Sequence, residues 1–365
     1  MTAPITINHC LSPRWPPAPR ELRERVDDAL TQFLHREGNR FTTPSPLHQV
    51  FDLLRRFVLG GGKRIRPLFC YWGWRAAGGP DCTEIIHAAA SLELFQAFAL
   101  MHDDVMDGSQ LRRGEPALHR ALTGLHVRHR WRGQQDHFGV CVAILCGDLC
   151  LSYSDEMLHD CGLPTNRVRV AQQLAHQMRS EVMIGQTLDL LDQAAGGSLE
   201  GALTIIRLKS AKYTIERPLQ IGAILAGARP ELLKAYSEFA IPLGEAFQLR
   251  DDVLGVFGDS TVTGKPTIDD LREGKPTVLI ALTRQGTNDE QAAQIRELHG
   301  NPLLDEKGAA TLRQIITTTG ALGRVEHMIH ERHVQALAAL DQIQIPSHAK
   351  EALLELATAT TARTS

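Results

Sequence analysis

Residues 94–107 read Leu94-Phe95-Gln96-Ala97-Phe98-Ala99-Leu100-Met101-His102-Asp103-Asp104-Val105-Met106-Asp107. An uncharged, mostly apolar run leads directly into a cluster of aspartates. On a helix, Asp103 and Asp107 are i and i+4, so both carboxylates project from the same face. The run ahead of them reads as buried. Ionised carboxylates at the end of a buried helix repel one another and drift toward neutrality unless a cation compensates them. Hard oxygen donors, with no Cys or paired His nearby, select Mg²⁺ over zinc. His102 projects about 100° away from Asp103 and reads as structural.

The arrangement recurs downstream. Phe247-Gln248-Leu249-Arg250-Asp251-Asp252-Val253-Leu254-Gly255 again places acidic residues after a mostly apolar segment, 240–249. Either cluster alone reads equally well as a solvated helix end. Two of them could face each other across a bundle and clamp a diphosphate through Mg²⁺, which usually shares its coordination with phosphate. Basic residues complete the pattern. Lys63, Arg64 and Arg66 follow Gly60–Gly62, where glycine lets the backbone approach an anion and Lys and Arg supply charge-assisted hydrogen bonds. Arg112 and Arg113 follow Asp107. Lys209, Ser210 and Lys212 share a helical turn, and Lys265 and Lys275 flank Asp269 and Asp270.

Outside these stretches the chain reads as helical. Leu22, Val26, Leu30 and Phe33, then Val50, Leu53, Leu54, Phe57 and Val58, recur at three- and four-residue spacing, the amphipathic helical period. Strand-like alternation is scarce, and Gly/Pro punctuation marks short connections. An all-α fold is predicted, a single bundle of about ten or more helices, with the folded domain over residues 21–355. Residues 1–20, which hold Pro13, Pro16, Pro17 and Pro19, are predicted to form a disordered arm. Residues 356–365 are expected to fray, 120–138 to form an irregular connection, and 285–310 to face solvent.

The 365 residues are 43% hydrophobic and 22% charged, with a net charge of −3. That is a globular composition without a basic field for nucleic acid. No uncharged apolar run of about 18 residues occurs, so no transmembrane span or stable membrane anchor is expected. Nor does the N-terminus carry a secretory apolar region. The seven cysteines include no C-x-x-C pair, which predicts reduced core thiols in a cytoplasmic protein.

Taken as a set, GGKRIRP at 61–67, ELFQAFALMHDDVMDGSQLRRG at 93–114, LKSAKYTIERPLQIGA at 208–223, FQLRDDVLGVFGD at 247–259 and TGKPTIDDLREGK at 263–275 resemble the trans-isoprenyl diphosphate synthases, or polyprenyl synthetases. The resemblance runs from Val50 to Leu282 and implies the isoprenoid synthase fold, with helices around a central cavity. It implies Mg²⁺-dependent condensation of isopentenyl diphosphate with an allylic diphosphate, with roughly three ions per site, and a homodimer. Carried onto this sequence, it makes Asp103, Asp107 and Asp251 the metal ligands. Lys63, Arg66, Gln96 and Arg113 would hold isopentenyl diphosphate. Arg112, Lys209 and Lys265 would hold the allylic diphosphate. Gln248 would stand near the reacting carbon, and Ser210 keeps the hydroxyl where the family usually has Thr. One departure is Gly255, where many members carry a further aspartate; Asp259 lies four residues on.

The resemblance also places product-length control on the helix ending in Asp103, at Phe95, Phe98 and Ala99. One aromatic and one alanine at the two positions four and five before Asp103 resemble geranylgeranyl rather than farnesyl diphosphate synthases. A farnesyl diphosphate synthase, a class I terpene cyclase and a non-catalytic partner subunit are the rival readings. A cyclase needs no second diphosphate site, so Lys63 and Arg66 weigh against it.

Overall fold

Wherever apolar residues recur at three- and four-residue spacing, the chain is helical. The computed structural model describes residues 19–40, 45–258 and 267–361. Helix α1 (Pro19–Asn39) turns Leu22, Val26, Leu30 and Phe33 inward, and α2 (Ser45–Leu59) packs beside it. Helices α3 (Ile65–Ala76) and α4 (Thr83–Met106) carry apolar residues nearly all round and are correspondingly buried on most sides. A two-residue antiparallel pair, Leu111–Arg112 with Glu115–Pro116, turns the chain back immediately after Asp107. Next come α5 (Leu118–Arg128), α6 (Gln135–His159) and α7 (Thr165–Ala195). Helix α8 (Leu199–Ile205) runs through a π-helical segment, Ile206–Glu216, into α9 (Arg217–Ala226). The chain ends with α10 (Pro230–Phe257), α11 (Asp269–Glu273), α12 (Val278–Gln285), α13 (Asp289–Leu298), α14 (Glu306–Thr318), α15 (Ala321–Gln342) and α16 (Ser347–Thr361).

Two apolar clusters hold these helices. The larger joins α1 to α7, the π-helical segment, α9, the first half of α10, the end of α15 and α16. The smaller gathers α8, the second half of α10 and residues 268–329. Helices α3 and α9 touch backbone to backbone: a Cβ at Gly73 would lie 2.0 Å from the Leu219 carbonyl oxygen, and one at Gly222 1.9 Å from that of Cys70. Any side chain there would drive the helices apart. The expected all-α bundle is the observed architecture.

Several boundaries differ from the sequence reading. Residues 120–138 are mostly helix, because Leu122 and Leu125 pack inward beneath the His and Arg residues and Trp131 stacks on His129 at 4.8 Å. Pro19 and Arg20, expected in the arm, open α1, as proline in a first turn allows; residues 1–18 lie outside the described residues. The expected fraying at 356 is wrong through Thr361, since Ala357, Thr360 and Thr361 are buried in α16; residues 362–365 are again outside. Within 285–310, Ile295, Leu304 and Ala309 are buried. Among the described residues two helices, α4 and α6, are long and apolar enough by length and composition to cross a membrane. Most of α4 is spent on the core, whereas α6 leaves more of its surface open. The described cysteines are all unpaired, and Cys70, Cys146, Cys150 and Cys161 are buried.

Candidate active site

Both acidic clusters belong to one cavity of about 810 Å³, lined chiefly by α3, α4, α7, the π-helical segment, α10 and α11. On the first wall, Asp103 lines the cavity; Asp107, one turn later at the end of α4, is not among the lining residues and faces Lys275 instead. The Lys209 ammonium bridges Asp103 Oδ1 at 3.2 Å and Asp189 Oδ2 at 2.9 Å. Lys275 lies 3.1 Å from Asp107 Oδ2 and 2.7 Å from Glu273. Burial pushes the Asp103 carboxyl up, but Lys209, Lys275 and Arg112 outweigh it and hold Asp103 below its ordinary value. For Asp107 burial wins, reinforced by the charge of Asp103 and opposed by Lys275, and its carboxyl is raised. Burial would lower Lys275, yet the surrounding carboxylates raise it well above the usual ammonium range.

The middle aspartate does other work. Asp104 is fully buried and accepts hydrogen bonds from Arg112, one of them at 2.9 Å. Arg112 also comes within 3.6 Å of Asp103. The sequence reading gave Arg112 to the allylic diphosphate; the structure ties it first to α4.

Another part of the lining carries positive charge. Lys63, Arg66, Gln96 and Arg113, expected together, all line the cavity. Arg66 donates to Thr214 Oγ1 at 2.8 Å and lies 4.0 Å over the Tyr213 ring. Its buried Nε has no hydrogen-bond partner among the described residues. Arg113, at φ 55°, donates to the Gly61 carbonyl. Burial, and then the nearby Arg64, Arg112 and Arg66, lower its pKa despite Glu93. Crowded guanidiniums of this kind are relieved by an anion. Tyr213 donates its hydroxyl to Gln96 Oε1, which turns the Gln96 amide donor away from that oxygen. Arg64 departs from the expected anion-binding role. It is buried, in a left-handed conformation, and bonds Glu93 at 2.8 Å and Asp27 at 2.7 Å, so it anchors the loop.

On the second wall, Asp251 and Asp252 both line the cavity. Asp252 accepts from Gln248 Nε2 at 2.8 Å, and Gln248 accepts from Ser210 at 2.5 Å. Burial, then the charges of Asp270 and Asp251, push the Asp252 carboxyl up to about 7 against the Gln248 hydrogen bond. Lys265 and Asp259 lie outside the described residues. Below Asp103, Phe98 and Ala99 line the cavity. Phe95 does not: it is buried behind Phe98, at 5.4 Å, and packs edge-on against Tyr213. His102 lies edge-on to Phe98 at 4.7 Å and pairs with the Ile144 carbonyl at 3.1 Å.

The sequence reading missed Asp189, Tyr213 and Thr214. Lys209, Tyr213 and Thr214 are separated by four and five residues, and the π register puts all three on the cavity. Lys212 turns away to Glu181 at 2.7 Å.

The donors suit Mg²⁺. They are oxygens only, and Asp107 Oδ2 is buried with no hydrogen bond beyond its ion pair to Lys275. Among the described residues no three acidic side chains converge on one point; Lys209 and Lys275 balance their charge instead.

The polyprenyl synthetase family profile matches residues 48–316. Among solved structures, a geranylgeranyl pyrophosphate synthase from Corynebacterium glutamicum, crystallised with isoprenyl diphosphate and magnesium, is 41% identical. The two align with a TM-score of 0.91, over 94% of this chain and 98% of that one. The geranylfarnesyl diphosphate synthase of Aeropyrum pernix is 34% identical over 276 residues, 74% of this chain and 80% of its own. The farnesyl diphosphate synthase of Geobacillus stearothermophilus is 30% identical over 283 residues, 75% and 86% respectively. With the acidic walls and the arginine corner falling inside the matched span, this chain belongs to the polyprenyl synthetase family and is a trans-prenyltransferase.

Proposed function

We propose that the protein elongates allylic diphosphates with isopentenyl diphosphate and releases mainly geranylgeranyl diphosphate. The observation that carries this reading is the polarity of the single cavity. Its lining holds carboxylates, Asp103, Asp251, Asp252 and Asp270, together with a cationic group, Lys63, Arg66 and Arg113. Two diphosphates need two such zones, one gripped through cations held by carboxylates and one gripped directly.

In this reading Lys63, Arg66, Arg113 and Gln96 hold the isopentenyl diphosphate, with Tyr213 fixing the rotamer of Gln96. Lys209 and Arg112 hold the allylic diphosphate against Asp103, Asp107 and Asp251. Magnesium, when bound, neutralises charge developing on the leaving diphosphate. The positively charged residues add to that stabilisation at the leaving oxygen. Gln248, oriented by Ser210 and Asp252, turns its carbonyl dipole toward the allylic carbon. Apolar residues below Asp103 keep water from the allylic cation. The double bond of isopentenyl diphosphate attacks, and the departed diphosphate takes the proton. Phe98 and Ala99 set the depth available to the tail. The product names of the relatives differ, so the geranylgeranyl assignment rests on these two residues.

Ile144 and Leu145 on α6, and Ile184 and Leu191 on α7, are exposed. We assign that face to a homodimer contact; a monomer by sedimentation equilibrium at micromolar concentration overturns the assignment. Unpaired buried thiols support a cytoplasmic site of action, and the net charge of −3 supports neither nucleic acid as a partner nor attraction to an anionic membrane.

The deciding assay is mass spectrometry of products formed by the purified chain with labelled isopentenyl diphosphate, Mg²⁺ and each primer in turn. Elongated diphosphates are expected. Hydrocarbon from an allylic diphosphate alone would instead make it a cyclase, and silence with every primer would make it a partner subunit.

A further inference from the structure

The two acidic clusters differ at one position. Where the first has Asp107, the second has Gly255. Backbone conformation does not demand that glycine, because Gly255 sits inside α10 and is not among the residues with positive φ. Space does. A Cβ at position 255 would lie 1.9 Å from Asp270 Oδ2 and 3.0 Å from its Cγ. The Asp270 carboxylate, arriving from α11, thus occupies the volume in which a side chain at 255 would begin. Position 255 is one turn after Asp251 and shares its face of the helix. A carboxylate standing there points to the same side as Asp251, and Asp270 lines the cavity.

Two further observations tie Asp270 to the metal zone. Lys275 lies 3.1 Å from Asp107 Oδ2 and 3.9 Å from Asp270 Oδ1, so a single cation already faces both walls. Asp107, with a side chain only 5% exposed, has no hydrogen bond to its Oδ2 beyond that ion pair. A buried carboxylate oxygen in that state is suited to a hard cation.

We propose that Asp270 gives the second wall the metal-facing carboxylate that α10 lacks at position 255, and that position 255 is glycine to admit it. The inference rests on the Mg²⁺-dependent reading above. Its consequence runs against sequence intuition: making the second cluster resemble the first, by Gly255→Asp, impairs the metal site. The new side chain either displaces Asp270 or is itself forced out of line.

The test is Mn²⁺ binding to the full-length chain with inorganic pyrophosphate, read by the electron paramagnetic resonance of free Mn²⁺. Wild type, Asp270→Asn, Gly255→Asp and the double variant are compared, each checked for an unchanged helical melt. Asp270→Asn is expected to weaken Mn²⁺ binding about tenfold or more, and Gly255→Asp by at least as much. The double variant, Gly255→Asp with Asp270→Ala, should recover toward wild type, because the volume that Asp270 filled is then open to the carboxylate introduced on α10. Asp270→Asn is nearly isosteric, so it decides even if Gly255→Asp fails to fold. Affinity for Mn²⁺ unchanged in Asp270→Asn, or tighter binding by Gly255→Asp, overturns the inference alone. A wild-type chain that binds no Mn²⁺ with pyrophosphate overturns the prenyltransferase reading and the inference with it.

Discussion

The two acidic walls start from nearly the same five residues, Asp103-Asp104-Val105-Met106-Asp107 and Asp251-Asp252-Val253-Leu254-Gly255, and become different structures. The first is complete on its own helix: Asp103 and Asp107 stand one turn apart, each facing a lysine. The second presents Asp251 and borrows volume for Asp270 from a neighbouring helix. In both, the middle aspartate accepts from a neighbouring side chain, Asp104 buried beneath Arg112 and Asp252 on the cavity lining beside Gln248. A helix can set two carboxylates on one face unaided. Only a second element can bring a third from outside.

The largest effect is expected where the first wall meets the leaving group. Asp103→Asn should lower kcat about a hundredfold to a thousandfold, measured by steady-state condensation with labelled isopentenyl diphosphate. Asp252→Asn should stay within about tenfold, because an amide can keep the bond to Gln248. Equal losses in the two variants would break the distinction between metal-facing and supporting aspartates.

Lys275 joins the walls, so its removal sharpens the comparison. Lys275→Gln leaves Asp107 and Glu273 uncompensated and should cost about 2–4 kcal/mol of stability. Mg²⁺ should then raise Tm more in the variant than in wild type, as cation binding replaces the lost ammonium. Calorimetry with and without the metal checks both; a smaller shift in the variant would mean that Lys275 helps rather than replaces the ion.

Product length is expected to belong to the first wall. Ala99→Phe fills the cavity just below Asp103 and should shorten the main product by one isoprene unit, seen by mass spectrometry. An unchanged length would move the floor elsewhere.

The smallest effect is a pH dependence in the support of the second wall. Burial, then Arg284, pull the His299 imidazole from 6.5 down to about 4, and its neighbour Gly300 bonds Leu271 at 2.9 Å, behind α11. The folded state keeps His299 neutral, while the unfolded chain takes up a proton below 6.5. Stability is therefore full above 6.5 and falls as pH drops toward 4, by about 1–3 kcal/mol. Urea unfolding of wild type and His299→Gln at pH 7.5 and 4.5 should show a smaller acid loss in the variant.

Much of this was legible in residue order. The period of apolar residues predicts α4 and α10, and four-residue spacing predicts the shared face of Asp103 and Asp107. The His- and Arg-rich segment 120–138 concealed α5 because two leucines, Leu122 and Leu125, are a weak periodic signal. Asp189 gave none at all: a single aspartate on a long helix acquires its meaning only when Lys209 folds against it. Arg64 and Arg66 look alike in sequence and part company in space, one locked onto Glu93 and Asp27, the other over Tyr213.

By itself the sequence determined the all-helical class and the two acidic clusters that each follow an apolar helix, because those depend on local spacing and on the chemistry of each side chain. Tertiary structure alone decided which charges are spent on internal pairs and which remain for substrate, and whose carboxylate fills the gap at Gly255. Electrostatic partners and excluded volume belong to residues far apart in the chain, and only packing brings them within a few ångströms.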